Sequence, residues 1–135
     1  MKLQPDSFDV QAISGYGPGW VGVNGEKITH SVIVASTGER IEWKASRFED
    51  LGPEHFEQLA KVGAEVALFG SGDRIRFPKP VWLKPLIDAH VGLETMDTAA
   101  ACRTYNILAQ EGRRVAVALL LEAQVPQQQG GTVSG

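Results

Sequence analysis

The 135-residue chain has a single cysteine, Cys102, so no intrachain disulfide can form, and a reducing compartment fits that usage. It also lacks a long apolar run. The longest, Val115 to Leu121, falls well short of the roughly 20 residues that cross a bilayer as a helix, so no membrane segment is expected. No apolar stretch stands behind Lys2, and no Arg/Ser-rich amphipathic stretch follows it. Secretory and organellar targeting are both unsupported, and a cytoplasmic address follows by exclusion. A large excess of one charge is lacking as well: the formal net charge is -3. A binder of phosphate backbones normally presents a basic face. The one local excess of basic residues, Arg74, Arg76, Lys79 and Lys84, reads as a solvated edge and loop, so nucleic acid is not expected as a partner.

Motifs for metals and nucleophiles are missing too. His30, His55 and His90 are isolated, with no H-x-x-x-H, no H-E-x-x-H and no paired cysteines, so neither metal nor cofactor is expected. None of Ser14, Ser31, Ser46 and Ser71 sits in a G-x-S-x-G elbow, and no paired carboxylates with a shared site can be picked out. Enzyme is therefore the minority reading.

What is present is an ordinary globular composition, with 43% hydrophobic and 21% charged residues. At this length a chain buries enough surface to fold without a metal or disulfide staple. Residues 1–125 read as one α/β domain. The segment 126–135, rich in Gln and Gly, has no core-forming pattern and reads as a disordered tail.

The first third reads as a meander of antiparallel strands. Phe8 to Ser14 alternates imperfectly, and Gly15-Tyr16-Gly17-Pro18-Gly19 should break any regular element. Trp20 to Val23 then runs into Asn24-Gly25, the pair that best tolerates two positive φ angles in a tight hairpin, with Glu26 to Ile28 returning. His30–Ala35 and Arg40–Lys44 are further strands around the turn at Thr37-Gly38. The period then changes. Pro53 opens a helix that Gly63 closes, and Glu65–Phe69 is a strand. A helix spans about Pro80 to Ala89, with Pro85 imposing a kink or a late start. Gly92–Met96 is a strand, Thr98–Glu111 the long helix, and Arg114–Glu122 the last strand. Strands alternating with helices from Glu65 onward signal a sheet with crossover helices.

On the long helix, Ala101, Cys102, Tyr105, Leu108, Ala109 and Gly112 share one face at about 100° per residue. Cys102 is thus a buried structural thiol rather than a nucleophile: it is past the first turn, and Arg103 projects elsewhere. Ile107 lies opposite that face, covered by another layer or free for a partner. His90, near a helix end, interacts with the local backbone dipole. Gly70-Ser71-Gly72 after one strand and Asp97-Thr98 after the next would meet at one sheet edge if those strands are parallel neighbours, which is where open α/β sheets place ligands. Arg103, Asn106 and Arg74 would supply polar side chains nearby, and Asp97 admits an anion only by turning away to cap the helix. Plain turn chemistry is the competing account of these loops.

Three blocks, Met96-Asp97-Thr98, Ala101 to Leu108 and Glu111-Gly112-Arg113-Arg114-Val115, resemble a family of small single-domain proteins of unassigned function, domain of unknown function 498, that occurs in bacteria, archaea and eukaryotes. Asn24-Gly25, Trp43, Gly70-Ser71-Gly72 and Pro80 extend the resemblance over most of the chain. One mitochondrial member of the family is an assembly factor, number three, for respiratory complex I. The resemblance implies three layers around a mixed central sheet, so at least one strand runs against its neighbours. It implies no catalytic residue, metal or cofactor. This sequence departs from it by lacking a mitochondrial presequence and by carrying Pro85 within the usual helix. The leading expectation is a non-enzymatic protein-binding or assembly module with another protein as partner. The alternative is a binder of a small anion or metabolite, conceivably an enzyme, that uses Gly70, Ser71, Gly72, Asp97, Thr98, Arg103 and Asn106.

Overall fold

The computed structural model describes residues 10–122. The start of the expected strand at Phe8, the domain limit at 125 and the tail 126–135 lie outside the described residues. The expected α/β fold with three layers and a mixed central sheet is what the chain adopts. Strands β1 (Ile13–Gly17), β2 (Trp20–Val23) and β3 (Glu26–Ile28) form an antiparallel sheet of their own. Strands β4 (Val32–Ala35), β5 (Arg40–Glu42), β6 (Val66–Gly70), β7 (Gly92–Met96) and β8 (Val115–Leu119) form the central sheet in the order β5-β4-β8-β6-β7. β6 is parallel to β7 and β8, whereas β4 runs against both β5 and β8. The meander thus divides between two sheets, and its last two strands supply the antiparallel part of the mixed sheet.

The inner strands β4, β8 and β6 are covered on both faces, so alternate side chains enter two different cores. Val32, Val34, Leu68, Val115, Val117 and Leu119 face the small sheet and the long helix α3 (Thr98–Gln110). Ile33, Ala35, Ala67, Phe69, Ala116 and Ala118 face the opposite layer. That layer holds α1 (Pro53–Lys61), a 3-10 turn at Phe48–Asp50, a second at Pro80–Leu83 and α2 (Lys84–Asp88). The alanines on this face of β8 make room for an aromatic cluster. Trp43 meets Phe56 edge-on at 5.6 Å, Phe56 meets Phe69 at 5.5 Å, and Phe48 meets Trp82 at 5.4 Å. Each such pair adds about 0.5–1.5 kcal/mol beyond the area it buries. The Trp43 indole N–H, itself buried, donates to the His55 carbonyl at 3.0 Å.

One expectation needs correction. The glycine-rich stretch does not break the first hairpin: β1 continues through Gly15 to Gly17, with a register irregularity between Ile13 and Gly15. The reason is Trp20. Its indole lies across β1, so a Cβ on Gly15 would sit 3.3 Å from the ring, and one on Gly17 would run into it. The glycines there accommodate a neighbour rather than punctuate the chain. The segment from Pro80 makes the late start that Pro85 imposes. It begins as a 3-10 turn and becomes α-helical only at Lys84, with Pro85 in the first turn, where no backbone donor is required.

Other local rules hold as read. Asn24 and Gly25 take φ of 51° and 86° in the hairpin turn, and Gly63 and Gly112 close their helices with φ of 78° and 82°. His90 does end a helix, but through its backbone. At φ 58° its N–H reaches the Ile87 carbonyl, and the following Val91 N–H reaches that of Leu86.

Candidate functional site

β6 and β7 are parallel neighbours in register from Val66↔Gly92 to Gly70↔Met96. The loops that leave them therefore emerge side by side, stitched together and braced by hydrogen bonds. The Ser71 N–H donates to the Met96 carbonyl at 2.9 Å, and the Thr98 N–H to the Gly72 carbonyl at 2.9 Å. The Gly72 N–H donates to Thr98 Oγ1 at 2.9 Å, while the buried Ser71 hydroxyl donates to the Arg74 carbonyl at 2.8 Å and accepts from the Arg76 N–H at 2.8 Å. Asp97 turns onto its own helix and accepts from the Ala100 N–H at 2.8 Å. Backbone donors that an anion would need at this edge are thus engaged within the fold. Gly70 is small for the sake of packing: a Cβ there would lie 3.1 Å from Thr98 Cα and 3.0 Å from the Leu119 side chain.

The two remaining candidates are held elsewhere. Arg103 reaches across to the β1–β2 turn and donates to the Tyr16 hydroxyl at 2.9 Å. Asn106 stands two turns along the helix from Thr98, about 12 Å by helical rise, and is hydrogen-bonded to the backbone of Ile13. So Gly70, Ser71, Gly72, Asp97 and Thr98 come together, whereas Arg103 is held by Tyr16 and Asn106 by Ile13.

Beside the stitched loops opens a cleft of about 290 Å³, walled by Tyr16, Gly17 and Pro18 on one side and by Gly72, Asp73, Asp97, Thr98 and Ala99 on the other. A small hollow next to it adds Glu122. The β1–β2 turn as a wall of this cleft is invisible to a sequence reading, because it depends on how the small sheet packs on α3. The carboxylates of Asp73 and Asp97 give the cleft a negative lining. Glu122 is engaged with Arg76 at 2.8 Å and with the Phe48 N–H at 3.3 Å. Among the described residues, no three His, Cys, Asp or Glu side chains gather as a metal would require. Cys102 and Tyr105 are fully buried under the sheet, and burial pushes the thiol up to about 12 against a small opposing pull from Arg103. A thiol so placed is no nucleophile at neutral pH.

The fold is similar to that of solved structures from Bordetella. A solution structure of a Bordetella pertussis protein described as a Mth938-like domain is 31% identical with a TM-score of 0.79, covering 97% of this chain and 99% of that one. A crystal structure of a Bordetella parapertussis protein is 39% identical with a TM-score of 0.78, covering 84% of this chain and 97% of that one. The chain belongs to the family described as protein of unknown function (DUF498/DUF598), whose pattern it matches over residues 13–120. A relative in Xenopus tropicalis, NADH dehydrogenase (ubiquinone) 1 alpha subcomplex assembly factor 3, is 29% identical over 128 residues, which is 93% of this chain and 69% of that protein. Against its Bos taurus counterpart, which is 27% identical, the chain spans 65% of the length. No helix among the described residues is long and apolar enough to cross a membrane.

Proposed function

We propose that this chain is a protein-binding assembly module that acts on subunits of a larger complex, as the name of its frog relative describes for that protein. The observation that carries the reading is the match to that assembly factor over 93% of this chain. The engaged backbone donors of the two loops support it, since they leave a ligand few groups to bind. The proposed compartment is the cytoplasm, where a lone buried thiol such as Cys102 stays reduced. The test is co-purification of the tagged chain from its own cells, with identification of bound proteins. The expected result is a small reproducible set of complex subunits at near-stoichiometric amounts. Recovery of nothing above an untagged control would overturn the reading.

A second reading, a small-anion or metabolite site at Gly70–Gly72 and Asp97–Thr98, draws on the 290 Å³ cleft beside those loops. Phosphate, nucleotides and small carboxylic acids form the probe set. A true ligand at a hundredfold excess over its Kd raises stability by about 2.7 kcal/mol. Unchanged melting across the set removes this reading.

A further inference from the structure

Between β6 and the second 3-10 turn the chain runs from Asp73 to Lys79 outside any sheet ladder. Its shape is set by inward side chains. The Arg76 guanidinium donates to the Ser71 carbonyl at 2.8 Å, pairs with Glu122 at 2.8 Å and lies 4.9 Å from the Phe48 ring centre. Pro78 is buried, and so is Trp82 at the start of the next layer. With Arg76 and Pro78 turned in, the residues between and beside them turn out. Phe77 is 69% exposed, Val81 67% and Ile75 48%. Exposed aliphatic residues occur singly on most proteins. An aromatic ring left bare between two further large apolar side chains, on a segment held this firmly, is a different matter.

Two cations of this stretch are left without a carboxylate among the described residues. Arg74 is exposed and makes no ion pair or side-chain hydrogen bond among the described residues. Lys79 is exposed, and its ammonium sits 5.7 Å from the Trp82 ring centre with no carboxylate partner among the described residues. The nearest carboxylate in sequence, Asp73, lines the cleft beside Gly72. The other two basic residues of the stretch are already matched, Arg76 by Glu122 and Lys84 by Asp88.

We propose that Ile75, Phe77 and Val81, flanked by the unpaired cations Arg74 and Lys79, form the docking surface for a partner protein segment that carries apolar side chains beside carboxylates. This rests on the protein-binding reading above and adds the surface and the partner's chemistry. Bare aromatic side chains and Arg are the residue types that dominate interface energetics. Free cations at the rim select acidic partners and speed encounter more than they add affinity. The segment is pinned through Arg76 and Pro78, so docking requires little further ordering of its backbone.

The test uses the full chain immobilised as bait for a random displayed-peptide library, with Phe77→Asp, Arg74→Glu/Lys79→Glu and the unchanged chain compared. Both variants are at exposed positions, and circular dichroism melts verify that they fold. The expected outcome is enrichment of peptides that combine aromatic or aliphatic residues with Asp or Glu. Synthesised peptides from that set should bind at least tenfold more weakly to Phe77→Asp. They should also weaken severalfold in the double charge reversal, with a salt dependence that the reversal removes. No enrichment, or enriched peptides without acidic residues, or binding indifferent to Phe77, overturns the proposal. So does Phe77-dependent sedimentation with phosphatidylglycerol vesicles in the absence of peptide binding, or a Phe77-dependent dimer in light scattering, since the occupant would then be a lipid surface or a second copy. The two readings fail separately. If the tagged Phe77→Asp chain still recovers the full set of bound proteins, this surface is wrong and the assembly role stands; if the unchanged chain recovers none, the role itself falls.

Discussion

The side-chain amide of Asn106 holds both backbone groups of Ile13, its Oδ1 accepting from the N–H at 2.8 Å and its Nδ2 donating to the carbonyl at 2.9 Å. β1 is an edge strand whose neighbouring Ala12 faces the hairpin, where its carbonyl accepts from the Asn24 N–H at 2.9 Å. Ile13 therefore turns its polar groups the other way, toward α3, and a carboxamide offers a donor and an acceptor on two separate atoms, one for each of them. Tyr105, one residue earlier on α3, adds a hydroxyl bond to the Gln11 carbonyl at 2.8 Å. The small sheet is thus fastened to the helix by polar contacts as well as by the apolar core between them.

Replacing Asn106 with Ala leaves a part-buried N–H and carbonyl without partners, at a cost of about 1–3 kcal/mol. Urea unfolding should register that loss, and hydrogen exchange at the Ile13 amide should speed up more than at β8. Asn106→Asp keeps the acceptor and loses the donor, so it should fall between the two. An Asn106→Ala protein with unchanged stability and unchanged exchange at Ile13 would mean that the clamp is ornamental.

Gly112 isolates a backbone effect. It closes α3 at φ 82°, and a Cβ placed on it would meet nothing within 4 Å. Any loss on substitution is therefore conformational strain rather than a clash. Gly112→Ala should cost about 1–2 kcal/mol and Gly112→Val at least as much, because a β-branched residue resists this region further. Gly112→Asn should cost less than either, since Asn visits this conformation readily. Equal melting temperatures for the Ala, Val and Asn variants would contradict this account.

Features with a local cause were legible in the sequence. Asn24-Gly25, Gly63, Gly112, the Asp97 cap and the buried face of α3 each follow from a few neighbouring residues, and the structure has all of them. The meeting of the Gly70–Gly72 and Asp97–Thr98 loops was readable because one crossover between parallel strands fixes both ends. Features with a distant cause were not. That Gly15 and Gly17 belong to a strand depends on where the Trp20 indole comes to rest, and that Asn106 serves Ile13 depends on the docking of one sheet on a helix from the far end of the chain. Arg74-Ile75-Arg76-Phe77 shows a period of two in the sequence. Without a ladder or a turn to mark a strand, it reads as a charged loop, and only the inward turn of Arg76 and Pro78 reveals which side chains are left outside.

The thiol of Cys102 should behave as a packed core group with its own pH signature. It is fully buried among Ala101, Tyr105 and the valines of β8, and burial raises it from an ordinary 9.0 to about 12. Below about pH 8 it is protonated whether the chain is folded or unfolded, so it adds no pH dependence there. As pH rises past 9.0 the unfolded thiol loses its proton while the folded one keeps it, and stability falls with a slope that approaches about 1.4 kcal/mol per pH unit until the folded thiol ionises as well. Cys102→Ala lacks this contribution. It should be less stable than the unchanged chain by about 1 kcal/mol at pH 7, as a small core truncation, and the gap should narrow or reverse by pH 10. Tyr105 is pushed up in the same way, but it is present in both proteins and drops out of the difference. Urea midpoints at the two pH values measure the effect. Native protein should also resist a thiol reagent at pH 8 and react on addition of denaturant. Labelling of the folded chain at the rate of a free thiol, or a stability gap that does not change with pH, would place Cys102 outside the core.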